Sequence, residues 1–126
     1  GVYDEIVVKG RGKSGAEEIK NADWISLCEI KNQVEVEKLK EKFGQGESEA
    51  VVLAQELKAI LLADEWGVIR EARRRGIEIT STHLVLIEAK KRRLIESVKK
   101  ELEELIVSGF RTTPVLIKET LRIAGE

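Results

Sequence analysis

The stretch Ala59-Ile60-Leu61-Leu62-Ala63-Asp64-Glu65, followed by residues 66–75, Gly76 and Ile77-Glu78-Ile79-Thr80, decides the fold. A short continuous apolar run that ends in an acid has the composition of a strand buried on both faces of a parallel sheet. Residues 66–75 then read as a helix closed by Gly76, and residues 77–80 as the next strand. Strand, helix and strand in that order make a βαβ unit with a right-handed crossover, so the chain is predicted to be α/β, with a small, mainly parallel sheet flanked by helices. Ligands of such sheets bind beyond the carboxyl ends of the strands. Asp64 stands at one of these ends and Thr80-Ser81-Thr82 at the other.

Upstream, Ala50, Leu53, Ala54 and Leu57 form a stripe at helical spacing over residues 47–57. Val36, Leu39 and Phe43 do the same over 34–43, where Gly44 and Gly46 are expected to stop the helix. Residues 24–30 alternate and carry β-branched and aromatic side chains, which predicts a strand with Cys28 as a small buried hydrophobe. Residues 17–22 read as a short helical turn, 9–16 as a Gly- and Lys/Arg-rich loop, and 3–8 as either helix or strand. Downstream, helices are predicted near 83–93, 96–107 and 114–124, the last opened by Thr113-Pro114 and closed by Gly125.

The chain has 126 residues, 42 % apolar and 36 % charged, which fits one globular domain with one core. Its 22 basic and 23 acidic side chains nearly cancel, so any contact with a polyanion must be local. A single cysteine excludes a disulfide within the chain. No apolar run approaches the roughly 20 residues needed to span a bilayer, so no membrane association and a cytoplasmic location are expected. The opening Gly1-Val2-Tyr3 reads as the middle of an element, which leads us to expect residues upstream of it.

The acids carry the chemistry. Glu47 and Glu49 open one helix, and Asp64 closes the strand that follows it. Carboxylates held a few ångströms apart stay ionised together only around a cation, and hard oxygen donors suit Mg²⁺ or Mn²⁺, the ions that assist phosphodiester hydrolysis. The same residues also read as ordinary helix chemistry, with Glu47 and Glu49 as first-turn acids and Asp64 as an N-cap. Glu47 lies closer than Glu49 to the apolar stripe, so the helical geometry favours Glu47 as the inward one.

The string Gly-Glu-Ser-Glu-Ala-Val-Val-Leu-Ala-Gln-Glu-Leu at 46–57, Leu-Leu-Ala-Asp-Glu at 61–65, Arg70 with Ala72, Gly76, Ala89-Lys90, Leu94-Ile95, Gly109-Phe110-Arg111 and Ala124-Gly125-Glu126 resemble, in order and spacing, a branch of PIN-domain proteins related to VapC-type toxins. The resemblance spans essentially the whole chain. It implies a three-layer α/β fold and an Mg²⁺- or Mn²⁺-dependent endoribonuclease, with RNA as substrate, an antitoxin protein as a partner, and a homodimer. It also implies site residues: Glu5 as the early-helix acid, which makes residues 3–8 helical, Glu49 as the later-helix acid, and Asp64 as the last. The family's first acid, an aspartate on a first strand, has no counterpart here. That gap leads to an expectation of an N-terminally truncated domain over 1–126, and to an alternative function as a catalytically incomplete PIN-fold interaction module. Ser81-Thr82-His83 stands where relatives tend to carry glycines.

Other signals are local. Gly12-Lys13-Ser14 lacks the glycine five residues earlier that a P-loop requires, because Val7 stands there, and the general nucleotide-binding reading of the βαβ unit ranks last for the same want of a Gly-rich turn. Lys9, Arg11 and Lys13 read as a solvated loop, with RNA phosphates as the functional alternative. Lys90 to Arg93 read as an exposed face answered by Glu101, Glu103 and Glu104, His83 as structural, and Arg70 as the partner of a carboxylate.

Overall fold

The computed structural model describes residues 1–13 and 15–126, so Ser14 of the rejected P-loop string lies outside the described residues. The chain packs as two units, Gly1–Ile79 and Thr80–Glu126.

The first unit opens with a wide-turned helical segment, Asp4–Val8, in which the Lys9 N–H donates to the Asp4 carbonyl over five residues at 2.8 Å. This settles the open reading of residues 3–8 in favour of helix. After α1 (Ala16–Asn21) the chain runs through residues 22–32 without regular structure. Here the predicted strand is corrected: residues 24–30 make no ladder, Trp24 is 81 % exposed and Leu27 69 %, and Cys28 is exposed rather than buried. β-propensity describes a fit to a pleated neighbour, and no strand of the described residues lies beside this segment.

Helix α2 (Gln33–Leu39) is capped by the Asn32 side chain, which accepts from the Glu35 N–H, and it buries Val36 and Leu39. Glu56 of the next helix ties its entry down by accepting from the Lys31 and Asn32 amides at 3.0 and 2.8 Å. Helix α3 (Gln45–Leu57) starts at Gln45, so Gly46 lies buried in its first turn rather than terminating the helix before it. Its buried face is Ser48, Val51, Val52 and Ala54. Of the stripe predicted at Ala50, Leu53, Ala54 and Leu57, Ala54 is buried in the core and Ala50 packs against it, whereas Leu53 is half-buried beside an open cavity and Leu57 is exposed. The Ser48 hydroxyl can be buried because it donates to the Gly44 carbonyl at 2.8 Å.

The βαβ unit forms as read. β1 (Leu61–Leu62) pairs in parallel with β2 (Ile79–Thr80), anchored by the Leu61 N–H donating to the Glu78 carbonyl at 2.8 Å, and α4 (Trp66–Arg74) crosses between them. Gly76, at φ 72°, makes the left-handed turn that ends α4. Only one side of β1 is covered, however: Leu61 is buried while Leu62 is 54 % exposed. Val36, Leu39, Val51, Val52, Leu61, Val68, Ala72 and Ile77 make the core. Arg75 clamps its rim, donating to Glu35 of α2 at 2.6 Å and to Gln55 of α3 at 3.0 Å.

In the second unit, α5 (Thr82–Lys91), α6 (Val98–Val107) and α7 (Pro114–Ile123) start at Ser81, Ser97 and Thr113, whose side chains each accept an amide of the first turn. Val98, Leu102, Ile87 and Thr120 are buried in it, with His83 against the Phe110 ring and within 2.9 Å of the Thr112 hydroxyl. The basic run of α5 is answered differently from expectation. Arg92 pairs with Glu88 one turn back, and Lys90 with Glu126 at 3.0 Å.

Candidate functional site

An open cleft of about 230 Å³ lies at the carboxyl end of β1, as the sheet topology requires. Val2 and Glu5 from the opening helical segment, Gly46, Glu47 and Ala50 from α3, and Asp64 and Glu65 from the β1–α4 turn line it. Of the sequence candidates, Glu5, Glu47 and Asp64 are therefore brought to one cavity. Glu49 is not. It lines the neighbouring cavity of about 430 Å³, where its carboxylate accepts from the Gln45 side-chain amide at 2.9 Å and stands 3.5 Å from the Gly1 amino group.

Glu5 reaches the cleft because residue 46 has no side chain. A Cβ built there would stand 2.7 Å from Glu5 Oε1 and 3.0 Å from Oε2. Glycine in a first helical turn costs helix stability relative to alanine, and here it makes room for the carboxylate.

The electrostatics of the cleft show most clearly at Glu47. Partial burial in the cleft wall pushes the Glu47 carboxyl above the ordinary glutamate range, and the negative charges of Glu65 and Glu5 push it the same way, against a smaller lowering by the Gly44 backbone. Glu47 still opens to solvent, so repulsion is felt but screened. As donors, these carboxylates match a hard divalent cation. Their spacing does not yet close on one: among the described residues, no three Asp, Glu, His or Cys side chains converge tightly enough to hold an ion.

Two contributors escaped sequence reasoning. Glu65 was legible only as the neighbour of Asp64, and it matters because the turn into α4 brings it within electrostatic reach of Glu47. Gly46 read as a helix terminator, and only the packing of Glu5 against it reveals its use. Arg70 departs from its expected role: it makes no ion pair among the described residues, and its guanidinium lies 5.9 Å from the centre of the Trp66 ring. Among the described residues, no helix is long and apolar enough to cross a membrane.

The family model that matches is that of a PIN domain, over residues 1–126. The chain belongs to the PIN-domain family, whose fold is nuclease-like and whose members generally use divalent metal ions. No curated protein and no solved structure matches it significantly.

Proposed function

We propose that this PIN domain is a VapC-like, Mg²⁺- or Mn²⁺-dependent endoribonuclease whose site is the cleft at the end of β1. The observation that carries the reading is the convergence of Glu5, Glu47 and Asp64, with Glu65, on one cavity in which partial burial, and then the charges of Glu65 and Glu5, raise the Glu47 carboxyl. Glu5, Glu47 and Asp64 are the proposed ligands. Glu47 takes the place of the later-helix acid that the family pattern gives to Glu49. When bound, a divalent ion supplies the positive charge that keeps these carboxylates ionised together and offsets the charge of a phosphodiester undergoing hydrolysis. The residues themselves position that charge at the strand end, and Gly46 leaves the space in which Glu5 does so. Cleavage of single-stranded RNA in Mn²⁺ by the protein, lost in Asp64→Asn and kept in Glu49→Gln, is the expected result. Full activity of Asp64→Asn would end the proposal.

A second reading rests on the spacing of the acids, which do not close on an ion among the described residues. Under it the chain is a PIN-fold interaction module, binding an antitoxin protein or a second copy of itself. That reading predicts neither Mn²⁺-induced stabilisation nor metal-dependent cleavage.

A further inference from the structure

Helix α4 divides its arginines into two kinds. Arg74 is spent on Glu71, with bonds of 2.7 and 2.9 Å, and Arg75 is held by Glu35 and Gln55. Arg70 and Arg73 make no ion pair among the described residues, and their guanidinium carbons lie 5.9 and 5.6 Å from the centre of the Trp66 ring. The spacing i, i+4, i+7 sets all three on one face of the helix. Trp66 is 61 % exposed, although a large indole ordinarily finds cover. It is also the first residue of α4, next to Glu65 of the acidic cleft.

We propose that Trp66, Arg70 and Arg73 form a binding platform for single-stranded RNA at the edge of the acidic cleft, with one base stacked on the indole and the two guanidiniums on adjacent phosphates. This substrate class rests on the nuclease reading of the cleft. Two features of the patch favour it over a protein surface. An exposed aromatic ring beside cations lacking carboxylate partners matches a ligand with both π-faces and negative charge, and single-stranded nucleic acid offers both. Duplex RNA keeps its bases in the stack, so it cannot use the ring. A protein partner would call for contiguous apolar surface, whereas the Trp66 ring is flanked by two guanidiniums. The patch also complements the cleft. The acids repel phosphates, so a strand reaching them needs an anchor just outside, and Glu65 and Trp66 are consecutive residues.

The test is binding without chemistry. In Trp24→Phe protein, where Trp66 is the only indole, emission is followed while oligouridylate is added in EDTA, and anisotropy of a labelled oligonucleotide gives the affinity of each variant. Saturable quenching is expected. Trp66→Leu should weaken binding by about 5- to 160-fold, the range for losing one base–aromatic stack, while Trp66→Phe, which keeps a π-face, should hold most of the affinity. Arg70→Gln with Arg73→Gln should flatten the salt dependence by about 1.4 in slope, two phosphates at roughly 0.7 each. A duplex of equal length should not distinguish Trp66→Leu from the parent. Equal affinity of Trp66→Leu and Trp66→Phe for single strands, absence of binding by the parent, or a Trp66 response to protein concentration but not to RNA would overturn the platform. The nuclease reading fails separately: platform binding in EDTA with no cleavage in Mn²⁺ would refute the metal site and leave the platform standing.

Discussion

Replacing Gly46 by alanine separates fold from function in this protein. The added methyl would lie 2.7 Å from Glu5 Oε1, and ordinary van der Waals contact begins near 3.4 Å, so the oxygen must retreat by 3.4 − 2.7 = 0.7 Å or more. The obstacle is the far end of a flexible side chain that opens to solvent, so the retreat is structurally cheap. Exchanging glycine for alanine within α3 meanwhile favours the helix by about 0.5–1 kcal/mol. The variant should thus match or exceed the parent in thermal midpoint, by up to a few degrees. Its chemistry should suffer, since misplacing a catalytic group by about 1 Å can cost on the order of 100-fold. The assays are thermal unfolding in EDTA, unfolding in Mn²⁺, and RNA cleavage in Mn²⁺. The expected pattern is an undiminished midpoint in EDTA, a smaller Mn²⁺-induced rise, and cleavage reduced by about 10- to 100-fold. An active Gly46→Ala with the full Mn²⁺ response would refute the argument, because Glu5 would then not need the position in which the structure holds it.

Three other outcomes follow from the structure. Mn²⁺ at about 100 times its dissociation constant should stabilise the parent by roughly 2.7 kcal/mol and leave Asp64→Asn unmoved, as differential calorimetry can check. Glu126 accepts from Lys90 Nζ, the Ser97 hydroxyl and the Val98 and Lys99 amides at 3.0, 2.9, 2.7 and 3.1 Å. Although partial burial opposes it, these donors hold its carboxyl down to about 2 from the ordinary 4.5. Because the folded value is depressed, the contribution is complete above about pH 4.5 and fades as the pH falls towards 2, and Glu126→Gln should remove that part of the acid-unfolding profile while lowering stability by about 1.5–3 kcal/mol at neutral pH. Leu102→Ala, at a position 1 % exposed in the second unit, should destabilise by about 2–5 kcal/mol in urea unfolding, and a loss below 1 kcal/mol would mean that α6 is not packed as described.

What could be read from the sequence was whatever depends on near neighbours. The βαβ unit around Asp64, the stop at Gly76 and the Thr113-Pro114 start of α7 follow from apolar runs, a left-handed glycine and a capping hydroxyl, all local causes. The ambiguous residues 3–8 became helical in our reading only through the family resemblance, and the resemblance alone pointed to Glu5. Helical periodicity also put Glu47 ahead of Glu49 as the inward-facing acid, and the two do face different cavities. What tertiary structure decided depends on partners far along the chain. Residues 24–30 have strand composition but lie beside no strand of the described residues, so Cys28 is exposed. The stripe on α3 is only partly covered, with Ala54 in the core and Ala50 against it but Leu57 exposed, because a period says that a helix has an apolar face and not how far a neighbour covers it. The fate of the arginines at 70, 73, 74 and 75 was equally hidden: Glu71 takes Arg74 within the helix, but only the distant Glu35 and Gln55 take Arg75, and Arg70 and Arg73 are left beside an exposed tryptophan.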